Sequence, residues 1–348
     1  LHFVSFNQLP EHIKRRECSS MKTQGLHHVT AITGNIQGNL DFYIGDLGLR
    51  LAKRTVIQEG PPAYHLFYGD AVGSVGTGLT FFDWPRVGHD RIGARNVVRT
   101  FTSVADDAAL AWWQDRLERM GIAYVAQPDF AGRNSLHFSD PEGQRLGIVA
   151  AGAFSGYQHW AANMASPAHA LQALHSVTLG VDALAPTVDF LCDIFGYVEI
   201  ATFPSPDENE GEAVALSVAG TREKSMGKEL VVVQQLEAPP GLRGIGSVHH
   251  VALTIAPQDT IEEWHARLVA TGLKVSEIMR RYYFDSIYVR IPGGILFELA
   301  TATGPGLAVD EPVKTLGTTL TLPPFLESQR AEIEAKLKPI VLPEPKGN

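Results

Sequence analysis

The chain has 348 residues, of which 45% are hydrophobic and 19% charged, an ordinary composition for a globular protein of about two domains. Its formal net charge of −9 argues against nucleic acid as the main partner, and no apolar run of about 18 residues is present to cross a membrane. With only two cysteines, Cys18 and Cys192, a disulfide framework is not expected, and a reducing cytoplasm fits the sequence best.

Residues 1–23 carry Lys14, Arg15, Arg16 and Glu17 but no apolar segment of the kind a secretory signal needs. The first twenty residues match nothing further along, and Met21 stands just ahead of the first regular pattern. The expectation is that the natural chain starts at Met21 and that residues 1–20 are an extension without folded structure.

The first pattern runs from about Gln24 to Pro85. Leu26–Ile32 reads as a strand that opens with Leu26-His27-His28-Val29-Thr30. A helix is predicted around Ile36–Ile44 and a turn at Gly45-Asp46-Leu47-Gly48. Three strands follow at Arg50–Val56, Tyr64–Tyr68 and Gly78–Phe82, punctuated by Gly and Pro. The order is βαβββ. A second module covers about Arg95–Ala151, with a helix at Ala109–Met120 ended by Gly121.

Residues 152–173 read as a linker. A third module, opened by Leu174-His175-Ser176-Val177-Thr178, repeats the first: Val188-Asp189-Phe190-Leu191 with Asp193-Ile194-Phe195-Gly196 echoes Leu40-Asp41-Phe42-Tyr43 with Asp46-Leu47-Gly48. A fourth, about Ser247–Thr303, opens with Val248-His249-His250-Val251-Ala252 and carries a helix at Thr260–Ala270 ended by Gly272. Asp140-Pro141-Glu142-Gly143 and Ile291-Pro292-Gly293-Gly294 are matching hairpin turns before a last strand. Internal repetition fixes architecture. The expected fold is α+β, with modules one and two forming one cupped-sheet domain (24–151) and modules three and four the other (174–306). The tail, 307–348, carries one amphipathic helix at Pro324–Leu337.

Side chains alternate across a strand. In the first module His27, Val29 and Ala31 share a face opposite His28 and Thr30. In the fourth, His249, Val251, Leu253 and Ile255 share a face opposite His250, Ala252 and Thr254. The more apolar face should pack on the helix, which turns the second histidine of each pair to the concave side. In the last strand Glu298 shares a face with Leu296. Two imidazoles and one carboxylate on one side of an ion leave positions open for a substrate oxygen and O2, an arrangement suited to non-haem Fe(II), with Mn(II) as a substitute. A single histidine is more often structural than a ligand; two at equivalent strand positions with a matching Glu favour the ligand reading.

This layout resembles the vicinal oxygen chelate superfamily over about Gln24–Thr303. Within it the chain is most similar to ring-cleaving dioxygenases acting on hydroquinones. The similarity rests on the paired-His strands of modules one and four and on Tyr288-Val289-Arg290-Ile291-Pro292-Gly293-Gly294-Ile295-Leu296-Phe297-Glu298. The resemblance implies His28, His250 and Glu298 as metal ligands, and His27, His249, Arg281 and Tyr288 as residues that support the ligands or contact substrate. Alternation sets His27 and His249 away from the metal face, which leaves a structural role under the sheet open for both. A surface salt bridge is the plainer reading of Arg281. Tyr288 would lie beside Glu298 in a hairpin. His65, His89, His137 and His159 have no partner pattern and are unassigned.

Two absences narrow the reading. Ser176 stands where the third module would supply a histidine, unlike two-domain catechol enzymes of the superfamily, whose metal site lies in modules three and four. Phe82 falls near the first-module place equivalent to Glu298, so the four-ligand set of glyoxalases is not expected. The function the resemblance implies is a ring-cleaving dioxygenase using Fe(II), an aromatic diol and O2. A glyoxalase-like lyase or isomerase and a binding or resistance protein of the same fold stay open, as does assembly into a homo-oligomer.

Overall fold

A computed structural model describes residues 21–60, 62–162, 165–205, 210–218, 227–236 and 238–346. The expectation of a natural start at Met21 concerns residues 1–20, which lie outside the described residues. The strands of the first module are β1 (Leu26–Thr33), β2 (Arg50–Val56), β3 (Tyr64–Gly69) and β4 (Gly78–Asp83). Those of the second are β5 (Asn96–Val104), β6 (Tyr124–Pro128), β7 (Asn134–Ser139) and β8 (Arg145–Ala150). The third supplies β9 (Leu174–Val181), β10 (Val198–Pro204), β11 (Glu210–Ser217) and β12 (Glu229–Gln235). The fourth supplies β13 (Val248–Thr254), β14 (Met279–Arg280), β15 (Asp285–Arg290) and β16 (Leu296–Ala300). The four βαβββ modules therefore exist as predicted, with strand ends within a residue or two in module one.

Their pairing differs from the expectation. One curled eight-stranded sheet has the order β14-β15-β16-β13-β1-β4-β3-β2, and the other β10-β11-β12-β9-β5-β8-β7-β6. Module one thus joins module four, and module two joins module three. The division at 24–151 and 174–306 describes the repeats along the chain but not the sheets. The reason is physical: each module leaves the edge of its first strand open, and any other module's first strand can satisfy it. The linker over 152–173 is long enough to bring β9 back against β5, which frees β1 to pair with β13.

The helices are α1 (Ile36–Leu40), α2 (Asp107–Arg119), α3 (Leu184–Asp193), α4 (Ile261–Val269) and α5 (Arg330–Lys336). The predicted Ile36–Ile44 helix resolves into α1, capped by the Asn35 side chain, followed by a π-helical turn at Asp41–Asp46. Helix α4 starts from a capping box in which Thr260 and Glu263 satisfy each other's backbone N–H. The large side chains Trp113 of α2 and Trp264 of α4 are fully buried in one continuous core that draws on all four modules. No helix among the described residues is long and apolar enough to cross a membrane.

The tail does not form the single helix predicted over Pro324–Leu337. It makes a 3-10 segment at Pro324–Gln329 and then α5, because Pro323 and Pro324 set the entry and Arg330 bonds both Glu327 and Glu334 at the junction. Ile333 packs with Val56 and Leu322. Ahead of it the tail is fastened by Lys53, whose fully buried ammonium lies 2.6 Å from both Asp310 and Glu311. Arg50 donates to the carbonyls of Ala71 and Val313. Tyr283 donates to Asp310 at 3.2 Å, which links this clamp to the inside of the first sheet.

A buried charge left without its partner is expensive. Lys53→Met is expected to destabilise the protein by about 3–5 kcal/mol, since it strands two carboxylates. A lowered urea midpoint, compared with wild type under the same conditions, checks this; an unchanged midpoint would show that the clamp contributes nothing.

Candidate metal centre

The site is set by how β1 meets β13. The strands run antiparallel with Val29 opposite Val251, His28 opposite Ala252 and Thr30 opposite His250. The register slips between Leu26 and His28, and again where Thr30–Ala31 faces His250–Val248. The extra residues at these two β-bulges are His27 and His249. A bulge sets two residues against one and re-aims side chains. Strict alternation, which placed His27 and His249 under the sheet, therefore fails at both histidine pairs. His27 Nδ1 lies 2.9 Å from His28 Nδ1, and His249 Nδ1 lies 2.8 Å from His250 Nδ1. The rings of each pair stand nearly perpendicular with centroids 5.1 Å apart.

The third member comes from β16, which runs parallel to β13 with Glu298 opposite Ala252. His28, His250 and Glu298 are all buried, and they offer ligand atoms that lie within 4.8 Å of one another. Glu298 Oε2 is 2.8 Å from His250 Nε2 and 3.2 Å from His28 Nε2, and the two Nε2 atoms are 3.4 Å apart. These are ion-pair distances, yet neither carboxylate oxygen receives a well-directed hydrogen bond. A fully buried carboxylate so placed calls for a cation. The donor set fits one. With both Nε2 atoms turned inward as lone pairs, each Nδ1–H can donate to the neighbouring His27 or His249, the usual way a ligating imidazole is oriented.

Burial favours the neutral form of His27, His249 and His250, while Glu298 stays ionised. Burial pushes His27 down to about 3, with the His28 charge adding to it. Burial, then His250, brings His249 to about 2. His250 is lowered by burial, partly offset by Glu298. For Glu298 burial acts upward, but the His28 charge and the contacts to both rings outweigh it and hold the carboxyl well below its usual range. Tyr288 is half-buried, and desolvation, then the Glu298 charge, raises it well above the usual phenol range.

Tyr288 sits on β15 directly opposite Glu298, as the hairpin reading expected, and its ring stands perpendicular to His250 at 5.4 Å. Arg281 is paired with Glu59 at 2.9 Å and also lines the cavity above the triad, so the salt bridge and the site are one place. That cavity has about 50 Å³ of free volume and opens to solvent. Aromatic rings crowd it: Phe284 lies 5.1 Å from His27 and 5.7 Å from His28. Phe82 and Trp84 flank His249 at 5.3 and 5.2 Å.

The place equivalent to Glu298 in the first module is Thr80, which lies opposite Thr30 just as Glu298 lies opposite Ala252. It is not Phe82, which stands two residues further along. A carboxylate is still absent there. Sequence reasoning also missed His65, which lines the cavity. Alternation along β3 gives only its face: Tyr64, Leu66 and Tyr68 enter the core, which leaves His65 and Phe67 for the concave side, without saying what that side looks upon. Ser176 lies in the second sheet, and His89, His137 and His159 are not among the residues lining this cavity.

The sequence matches the Glyoxalase/Bleomycin resistance protein/Dioxygenase superfamily over residues 25–148 and 173–299, and the chain belongs to that superfamily. Among individual relatives, it is 41% identical over 321 residues to the Bacillus subtilis protein named "Putative ring-cleaving dioxygenase MhqA", covering 92% of this chain and 100% of that one. It is 28% identical to "Chlorohydroquinone/hydroquinone 1,2-dioxygenase" of Sphingobium indicum, covering 96% of this chain and 99% of that protein. A solved Bacillus subtilis structure described as "putative dioxygenase" superposes with a TM-score of 0.78 at 34% identity, covering 93% of this chain and 99% of that chain. Maize glyoxalase I, at 16% identity, a TM-score of 0.59 and coverage of 82% of this chain and 93% of its own, shares the fold.

His28→Ala, His250→Ala and Glu298→Ala are each expected to abolish binding of a divalent metal while leaving the circular dichroism of the fold in place. Ser176→Ala is expected to bind metal like wild type. Metal content after dialysis checks this, and full loading of the Glu298 variant would remove that carboxylate from the ligand set.

Proposed function

We propose that the chain is a metal-dependent ring-cleaving dioxygenase that opens a hydroquinone-type aromatic diol with O2, with Fe(II) held by His28, His250 and Glu298 and Mn(II) able to substitute. The observation that carries this is the buried, unsatisfied Glu298 carboxylate facing two imidazoles whose other nitrogens are already engaged. The names of the relatives support the substrate class and the reaction. Iron held by these three residues would supply open positions for an oxygen of the substrate and for O2, which would make a two-body encounter a local one.

The chain's own residues do the rest. The Phe67, Phe82 and Phe284 rings form an apolar slot for a flat ring and keep water out. Tyr288, held protonated by desolvation and beside the Glu298 charge, is a hydrogen-bond donor at the edge of the triad. Arg281, with Glu59 balancing it, supplies positive charge where the substrate oxygen becomes anionic. His27 and His249 stay neutral and accept from the ligand imidazoles, so their part is to fix ring orientation.

The test is O2 uptake by protein purified without air and loaded with Fe(II), against a panel of hydroquinones and catechols. Ring opening requires uptake, whereas a glyoxalase-like lyase or isomerase consumes none; substrate conversion without uptake overturns the proposal. Tyr288→Phe is expected to retain its metal and lose about tenfold to a hundredfold in turnover, the worth of one hydrogen bond to a charged oxygen. Arg281→Met is expected to lose turnover similarly and also to raise KM. Wild-type kinetics for both, at matched iron content, would return the two residues to structural roles.

A further inference from the structure

On the concave side of the first sheet, β4 and β3 lie beyond β1. Neighbouring strands are about 4.8 Å apart, so β3 stands roughly two strand spacings from the strand that carries His28. His65 of β3 lines the same cavity as the triad. Its ring is gripped by aromatic neighbours, with centroids 4.0 Å from Phe67 and 4.6 Å from Phe82. Its Nε2 lies 3.1 Å from the Thr80 hydroxyl, which in turn lies 2.7 Å from the Thr30 hydroxyl. Its Nδ1 has no partner among the described residues, and it is not one of the buried polar atoms sealed off without one. That nitrogen is therefore open to the cavity. Burial, followed by the nearby His28 and His250, keeps the imidazole neutral.

The grip matters more than the presence of a histidine. Thr80 occupies the place that is a carboxylate in module four, and it is fully buried. Instead of a fourth metal ligand, the site has a hydroxyl chain, Thr30–Thr80–His65, that fixes one imidazole at the far wall. A flat ring with one oxygen at the triad would lie over β4, its opposite edge directed to β3. Two hydroxyls on adjacent ring carbons would both stay at the triad end. Two hydroxyls on opposite carbons would place the second one at His65.

We infer that His65 Nδ1 is the subsite for the second hydroxyl of a para-dihydroxy ring, so that this residue selects 1,4-diols over 1,2-diols and over monophenols. The inference rests on the dioxygenase reading above, since that reading puts the first oxygen at the triad. His65 acts by hydrogen bonding to the ligand; it holds no metal and takes no part in metal loading.

The test is calorimetric titration of the Mn(II)-loaded protein under argon with hydroquinone, phenol and catechol, which reads binding without turnover. Wild type is expected to bind hydroquinone about threefold to tenfold more tightly than phenol, the worth of one neutral hydrogen bond. In His65→Leu that ratio should fall to near unity, with Mn(II) content and phenol affinity unchanged. A purely structural loss would weaken phenol and hydroquinone together and would overturn the inference. His65→Gln, which keeps a hydrogen-bonding group, should retain a preference for hydroquinone. A full preference persisting in His65→Leu, or none in wild type, overturns the subsite alone. If correctly folded, Mn(II)-loaded wild type binds none of the three ligands, the dioxygenase reading fails and this inference with it.

Discussion

The antiparallel register of β1 on β13 is the constraint from which the rest of the site follows. Val29 opposite Val251 makes a local two-fold, and the bulges at His27 and His249 are symmetric about it. Because of those bulges, two consecutive histidines on each strand come into contact instead of dividing between the faces. One ring of each pair turns its Nε2 to the centre and the other buttresses it. Glu298 enters from the next strand at the height of His28. A slip of one residue would turn His28 and His250 away from the cavity.

The second sheet shows that the frame does not itself create the chemistry. Pairing of β5 with β9 carries the same two bulges, at Val98 and His175. The places equivalent to His28 and His250 hold Arg99 and Ser176, and the place equivalent to Glu298 holds Val231. Gly147 stands where Thr80 stands in the first sheet, with the Phe101 ring so close that a Cβ would meet it at 2.3 Å. One cup is thus given over to polar ligands. The other is filled by Ala213, Ala215, Val231 and Val233 against Phe130 and Phe203. The architecture supplies two equivalent cups, and side-chain identity decides which one can hold an ion.

The triad concentrates cost as well as function. Moving a carboxylate out of water is worth several kcal/mol, and Glu298 meets that cost only through its neighbours. The walls around it are tied down from outside: Tyr283 reaches Asp310, Asp310 reaches Lys53, and the tail closes over β2. Packing far from the triad therefore fixes the aromatic wall of the cavity.

Much of this was legible in the order of residues. The paired histidines, the matching turns and the alternation around Glu298 were sufficient for the four modules and for three converging donors, because these depend on local period and on repetition. Three features were not legible. Which module pairs with which depends on how a linker returns, since every first strand presents the same unsatisfied edge. The positions of His27 and His249 depend on bulges, and a bulge arises from the partner strand's register. His65 and Thr80 lie on strands whose patterns show a concave face but not what that face looks upon. The sequence by itself determined the kinds of groups available and the face each would take on a regular strand. Only the tertiary structure decided which of them meet, because register and sheet order are properties of two strands together and neither strand encodes them alone.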